Sequence, residues 1–341
     1  MLNIGLIGLG FMGRTHLDNY LRLEKEGVPI RVTAICDIDP DKLEGRATGG
    51  NIDTSSGEAA DFGRFRKYGS VEEMLREERL DAVDIALPTY LHKDTAVRCL
   101  EAGLHVLCEK PMAPSAADCE AMIQAAEASG KQLMIGQCLR FWPAYEYLKD
   151  IVDRKPFGRV TSASFFRGSG TPTWGPWLLE RDKSGGALLD MHVHDTDVVN
   201  WLFGVPDAVS CQALNVIPGS GYDIVSTNYR YGDGKVVNAQ VDWTLQGDFG
   251  FEMSYRVNFE GGNLLFRGGA VRVNPNAGAG YDAELPEDQG YYFELKYFAE
   301  TLIAGRALAA ATPRSTQETI RIIEAEIASA SASGEWAAVR R

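Results

Sequence analysis

Short apolar runs separated by amphipathic stretches dominate the first part of the chain. Residues 3–7, 31–36, 82–87, 105–108 and 132–136 are rich in Ile, Val, Leu and Ala, the pattern of strands buried on both faces. Between them, 12–26, 92–101 and 115–129 have helical spacing, and Pro40 begins a short helix. Ser70-Val71-Glu72-Glu73 is a capping box that opens another helix. Gly103 and Gly130 stand where helix C-termini need a left-handed residue, and Pro88 ends the strand before it. Residues 48–66, crowded with Gly, Ser and Asp, read as a surface loop or insertion. Strand alternating with helix predicts an α/β domain over residues 1–137, built on a doubly wound parallel sheet.

Beyond it, at 138–341, the pattern changes. A connecting helix is expected at 143–154, then strands at 159–167, 208–216, 224–231, 235–245, 251–260 and 263–266. Asp233-Gly234 marks a hairpin turn. One helix, 187–203, interrupts the strands, and two more close the chain at 291–303 and 316–333. Meandering strands with helices set apart predict an α+β domain on a large, mainly antiparallel sheet with one open face. The alternation of Val237, Ala239, Val241 and Trp243 is suited to an apolar open face through which copies of the chain would associate.

At 341 residues the chain suits two domains rather than one core. A net charge of −13 without a Lys/Arg-rich block argues against a nucleic-acid surface, yet leaves room for a dinucleotide held by backbone amides. No run reaches the ~18 apolar residues of a membrane span. The chain enters a strand almost at once, which leaves no space for a signal peptide. The six cysteines form no CxxC pair and lie in apolar patterns, so reduced thiols and a cytoplasmic setting are expected.

The first strand turns into the first helix through Gly8-Leu9-Gly10-Phe11-Met12-Gly13. Such a turn aims the N–H groups around Gly10, Phe11 and Met12, and the positive end of the helix, at a pyrophosphate. Gly8 permits the tight turn, Gly10 the close approach of phosphate, and Gly13 the packing of helix on strand. Asp37 ends the second strand, where a carboxylate accepts hydrogen bonds from a ribose hydroxyl pair and repels a 2′-phosphate. NAD is therefore expected over NADP.

Ligands of such sheets lie beyond the carboxyl ends of the strands. Two further segments fall there: Pro88-Thr89-Tyr90-Leu91-His92 and Glu109-Lys110-Pro111. Thr89 and His92 either meet the nicotinamide half of the cofactor or merely start the next helix. Lys110 is either a solvated loop lysine or, partly desolvated beside a cationic nicotinamide, a group able to hydrogen-bond the reacting oxygen and move a proton. On a continuous helix at 187–203, Asp190, His194 and Asp197 share a ~60° sector amid apolar neighbours. An imidazole with carboxylates a turn away on each side is a proton-transfer arrangement, and a histidine satisfied within its own helix is the plainer reading. His192 and His194 would point ~200° apart on that helix and could not grip one ion, so no metal is expected. Arg140, Arg167, Trp174 and Trp177 either contact a sugar through hydroxyls and ring faces or pack loops.

Together, Gly8-x-Gly10-x-x-Gly13, Asp37, Pro88-Thr89-x-x-His92, Glu109-Lys110-Pro111 and Gly185-Gly186-x-Leu188-x-Asp190-x-x-x-His194-x-x-Asp197 resemble the Gfo/Idh/MocA oxidoreductases, the glucose–fructose and inositol dehydrogenase family. The resemblance spans essentially the whole chain. It implies a nicotinamide cofactor, a pocket between the domains, and interconversion of a secondary alcohol and a ketone on a sugar, sugar acid or cyclitol. It makes His194 the base, oriented by Asp190, with Lys110 hydrogen-bonding the oxygen or sharing the proton. It also implies a cis Lys110–Pro111 bond. Ser184 and His192 depart from the glycines common at their positions, and His192 would narrow the pocket or touch a neighbouring subunit. The family also holds non-catalytic NAD-binding regulators and reductases of dihydrodiol, imine or bilin-type substrates, which are the alternatives.

Overall fold

The computed structural model describes residues 1–46, 49 and 60–340; most of the loop expected at 48–66 lies outside the described residues. The chain falls into two compact units. One is Met1–Cys138 with Gly290–Gln317; the other is Leu139–Gln289 with the residues from Glu318 on.

In the first unit, β1 (Leu2–Ile7), α1 (Phe11–Lys25), β2 (Ile30–Cys36), α2 (Pro40–Leu43), β3 (Arg66–Tyr68), α3 (Val71–Glu77), β4 (Ala82–Ile85), α4 (His92–Glu101), β5 (His105–Glu109), α5 (Ala116–Ser129) and β6 (Leu133–Gly136) follow one another. The six strands form one parallel sheet in the order β3-β2-β1-β4-β5-β6. The order reverses between β1 and β4, which opens a crevice beyond their carboxyl ends. The capping box forms, with Ser70 Oγ accepting the Glu73 N–H at 3.2 Å. Gly130, at φ 65°, caps α5.

A single cut after residue 137 does not follow these units. The helix α10 (Gly290–Ile303) returns to the first one, where Arg22 of α1 stacks on the Tyr292 ring at 4.1 Å and the Tyr292 hydroxyl donates to Glu26 at 2.6 Å. Pattern-reading sees that helix as apolar but has no local signal for the partner it buries against.

The second unit holds α6 (Pro143–Arg154), β7 (Val160–Ser169), α7 (Arg181–Ser184), α8 (Gly186–Asp190), α9 (Val193–Phe203), β8 (Ala208–Leu214), β9 (Ile224–Arg230), β10 (Val236–Asp242), β11 (Phe251–Phe259), β12 (Gly262–Arg267), β13 (Ala270–Pro275), β14 (Tyr281–Asp282), most of α11 (Pro313–Ser331) and β15 (Ala337–Ala338). Nine strands form one sheet, β14-β13-β12-β11-β7-β10-β9-β8-β15. Every pairing is antiparallel except β7 with β10. Tyr145, Tyr255 and Phe266 meet at centroid distances of 5.3–5.7 Å in its core.

The apolar alternation of β10 faces that core and not solvent. Val237, Ala239, Val241 and Trp243 are at most 1% exposed, which corrects the expected apolar open face. The opposite register positions, among them Ser164, Ser226, Asn228, Asn238 and Gln240, are half-buried or exposed, so the open face is polar. A period of two puts most of the apolar residues on the face the helices cover, leaving Leu214, Val236 and Leu265 as apolar exceptions among the exposed positions.

Candidate active site

The glycine turn behaves as backbone sterics require. Gly8 sits at φ +92°, and a Cβ there would run into the Ala86 carbonyl; a Cβ on Gly13 would collide with the Gly8 carbonyl oxygen. Gly10 is different: a Cβ on it would meet no atom within 4 Å. Gly8 and Gly13 are thus glycines for the protein's own packing, and Gly10 borders open space at the N-terminus of α1. No side chain caps that terminus. The N–H groups and positive helix end are left for an anion, and the residues present fit the pyrophosphate of NAD.

Asp37 lies beside the turn, 7% exposed. Its Oδ2 accepts the Leu9 N–H at 2.8 Å and its Oδ1 the Asp39 N–H at 2.9 Å, with Lys42 Nζ 3.7 Å away. These bonds fix a carboxylate that still has lone pairs for a ribose hydroxyl pair.

At the end of β4, Pro88 is half-buried and Thr89 is 1% exposed at the start of a short 3₁₀ turn. His92 does not face a ligand: its ring is fully buried, with Nδ1 2.8 Å from the Pro111 carbonyl oxygen and Nε2 2.7 Å from that of Leu87. Burial pushes the ring toward its neutral form, in which it donates to one of the two carbonyls. His92 therefore corrects its expected place at the nicotinamide and instead ties the segment after β4 to the segment after β5. The Lys110–Pro111 bond is cis. Lys110 is half-buried, and its backbone N–H donates to Glu109 Oε2 at 2.9 Å.

Behind Glu109 lies a group that sequence reading missed. His16 of α1 is fully buried, with Nδ1 2.9 Å from Asp84 Oδ2 and Nε2 3.1 Å from Glu109 Oε1. Burial, the largest influence, works against its charge, yet the two carboxylates raise its proton affinity well above the ordinary. The signal was a lone Asp84 within the apolar run of β4.

In the second unit the expected continuous helix is broken. α8 ends at Asp190 and α9 begins at Val193, with the His192 N–H bonded back to Ala187 O at 2.8 Å, one residue further than an α-helix allows. Asp190 and His194 stand on either side of the break, both half-buried. Gly185 and Gly186 precede them at φ 75° and 72°, and a Cβ on Gly186 would clash with the backbone of Ser220 and Tyr222. Ser184 braces this turn, donating to Leu178 O at 2.7 Å and accepting the Gly186 N–H at 3.0 Å.

Asp197 is not a partner for the imidazole. Arg140 grips it through Nε at 2.8 Å and a terminal nitrogen at 2.7 Å, and Thr319 donates to it at 2.8 Å. Arg167 grips Asp195 at 2.9 and 3.3 Å. Both arginines are buried in these pairs, as the packing alternative to a sugar contact requires. His192 is fully buried against Thr227 at 3.2 Å and Tyr229 at 3.3 Å, so it neither narrows a pocket nor reaches another subunit. Trp174 and Trp177 are half-buried in the loop before α7.

A doubly wound sheet with this cradle at its switch point defines a dinucleotide-binding protein. Residues 2–137 match the model of the oxidoreductase family with an NAD-binding Rossmann fold, and 145–265 match the GFO/IDH/MocA C-terminal domain. The chain belongs to the GFO/IDH/MocA family. It is 30% identical to inositol 2-dehydrogenase of Salmonella typhimurium over 59% of its own length and 54% of the relative's. It is 28% identical to 1,5-anhydro-D-fructose reductase of Ensifer adhaerens over 78% and 85%. The chain thus spans only a little over half of the first of these relatives. A levoglucosan dehydrogenase solved with NADH and levoglucosan shares the fold, with a TM-score of 0.85 at 21% identity over 100% of both chains. No helix among the described residues is long and apolar enough to cross a membrane, and all six cysteines are buried and outside disulfides.

Proposed function

We propose that the protein is an NAD-dependent dehydrogenase that interconverts a secondary alcohol and a ketone on a sugar, sugar acid or cyclitol. The observation that carries this reading is the open space at Gly10, at an uncapped helix terminus, on the sheet edge where Asp37 and Lys110 also lie. Gly8, Gly10, Phe11, Met12 and Gly13 would hold the pyrophosphate, and Asp37 the adenosine ribose. The segments Pro88-Thr89 and Glu109-Lys110 would flank the nicotinamide half. Bound there, NAD supplies the hydride acceptor. Lys110 hydrogen-bonds the substrate oxygen, and His194, oriented by Asp190, exchanges the hydroxyl proton with it. Trp174 and Trp177 would cover apolar sugar faces. Self-association through the polar open face completes the reading, and sedimentation of the purified chain checks it.

The test is formation of reduced cofactor from NAD with inositols, aldoses, levoglucosan and 1,5-anhydro sugars, the last two because relatives are named for them. Turnover of at least one is expected, with NADP far poorer; none in either direction overturns the reading. Lys110→Met should lower kcat by a factor of ~10³ or more while NADH still binds. Near-normal turnover would remove Lys110 from the chemistry.

A further inference from the structure

We propose that His16 is a positioning residue for the Glu109–Lys110 peptide, held as an imidazolium between Asp84 and Glu109 and faced by the buried acid Glu294. The proposal rests on the reading of Lys110 as the group at the reacting oxygen. Its basis is geometric. Both ring nitrogens of His16 lie beside carboxylate oxygens, Nδ1 hydrogen-bonded to Asp84 at 2.9 Å and Nε2 in ion-pair contact with Glu109 at 3.1 Å, and a ring between two carboxylates favours the imidazolium. Glu109 is held at Oε2 by the Lys110 N–H at 2.9 Å, while its Oε1 lies 3.1 Å from His16 Nε2 as an ion-pair contact without hydrogen-bond geometry. The side chain that fixes where Lys110 leaves its strand is itself fixed by His16, on the same helix whose N-terminus forms the anion cradle.

Among the described residues, His16 is the basic group placed against both Asp84 and Glu109. From α1 come His16 and Tyr20, from β4 Asp84, from β5 Cys108 and Glu109, and from α10 Glu294. Lys110 also acts on Glu109, through its charge and its backbone N–H. Glu294 is fully buried, and neither of its oxygens has a hydrogen-bond partner among the described residues. Burial first, then the Glu109 charge, drives it to the neutral acid. One imidazolium and two carboxylates beside a neutral acid is a cluster that changes charge when His16 loses its proton. Loss of that proton removes the positive charge beside Glu109 Oε1, and the Lys110 peptide held by Oε2 is repositioned.

The experiment combines two readouts on the full chain. Histidine-ring nitrogen NMR follows the His16 proton against pH, with the Lys110 backbone amide shift recorded in the same samples. Steady-state kinetics gives the pH profile of kcat on whichever polyol is turned over. The wild-type His16 ring should stay doubly protonated past pH 7, and the Lys110 amide shift should move with it. Asp84→Asn should lower the pH of both transitions and carry the kcat profile down with them. His16→Gln, which keeps hydrogen bonds without the charge, should lower kcat about 10–100-fold with KM changed less than about threefold and NADH still bound. A merely structural histidine would not make the three transitions move together. A neutral His16 at pH 7, a Lys110 amide indifferent to it, or a kcat profile unmoved by Asp84→Asn overturns the proposal. If no polyol is turned over, the dehydrogenase reading fails, while the two NMR signals still decide whether His16 controls the Lys110 peptide.

Discussion

In the second unit each buried carboxylate of α9 has an arginine of its own: Asp197 with Arg140, Asp195 with Arg167. In the first unit Asp84, Glu109 and Glu294 gather round one imidazole, and both oxygens of Glu294 lack a hydrogen-bond partner among the described residues. A guanidinium does not titrate at physiological pH, and its fork satisfies a carboxylate twice, so the one-to-one pairs are fixed supports for α9. The acid-rich cluster balances its charge with protons and responds to pH. One arrangement serves rigidity; the other keeps a titratable group beneath a strand end, at a cost in stability.

The largest expected effect lies on the paired side. Arg140→Met leaves Asp197 buried with the Thr319 hydroxyl as its remaining side-chain donor among the described residues, and should lower unfolding stability by about 3–5 kcal/mol. Urea unfolding at pH 7 measures it. A loss below about 1 kcal/mol would mean that water or a neighbour replaces the guanidinium, and the contrast between the units would collapse.

The opposite sign is expected on the acid-rich side. Glu294 has a folded-state pKa well above its ordinary value of 4.5. A group raised in this way is least costly below the unfolded value, and stability is lost as pH climbs toward the folded one. His16, raised above 6.5, adds stability below that value that disappears as pH rises through its own folded pKa. Glu294→Met removes the first contribution by replacing a fully buried acid with an uncharged chain of similar length. The variant should be more stable than the wild type by about 1–3 kcal/mol at pH 8, with a smaller gain at pH 5. Thermal unfolding at the two pH values reads the difference; destabilisation at both would show that the acid has a partner.

How much of this was legible in the sequence follows the same divide. The glycine turn was readable because backbone sterics at Gly8 and Gly13 act over a few residues, and the parallel sheet because strands alternate with helices along the chain. The third strand, Arg66–Tyr68, was not located: three residues carry too little periodicity. The helix at 187–203 misled because ideal spacing was extended through Met191 and His192, where the backbone breaks step. That error placed Asp197 beside the imidazole. Its real partner, Arg140, is 57 residues away in the chain, and no local pattern announces so distant a pair. Glu294 was invisible for the same reason, since its meaning lies in what α10 packs against.

The smallest effect tests whether the Arg140–Asp197 pair stands alone. Thr319 donates to Asp197 Oδ1 at 2.8 Å and accepts from Asn200 Nδ2 at 3.1 Å, so it could be a full third member of the site or an accessory to it. If Arg140 by itself holds the carboxylate, Thr319→Val should cost about 1 kcal/mol, the worth of one hydrogen bond in an already satisfied site. Removing both should then cost more than the sum, because Asp197 loses its last donor in the second step. A single-variant loss above about 3 kcal/mol, with simple additivity in the double, would make the hydroxyl an equal partner. The second unit would then also share donors among its acids, and the difference between the units would be one of proton occupancy alone.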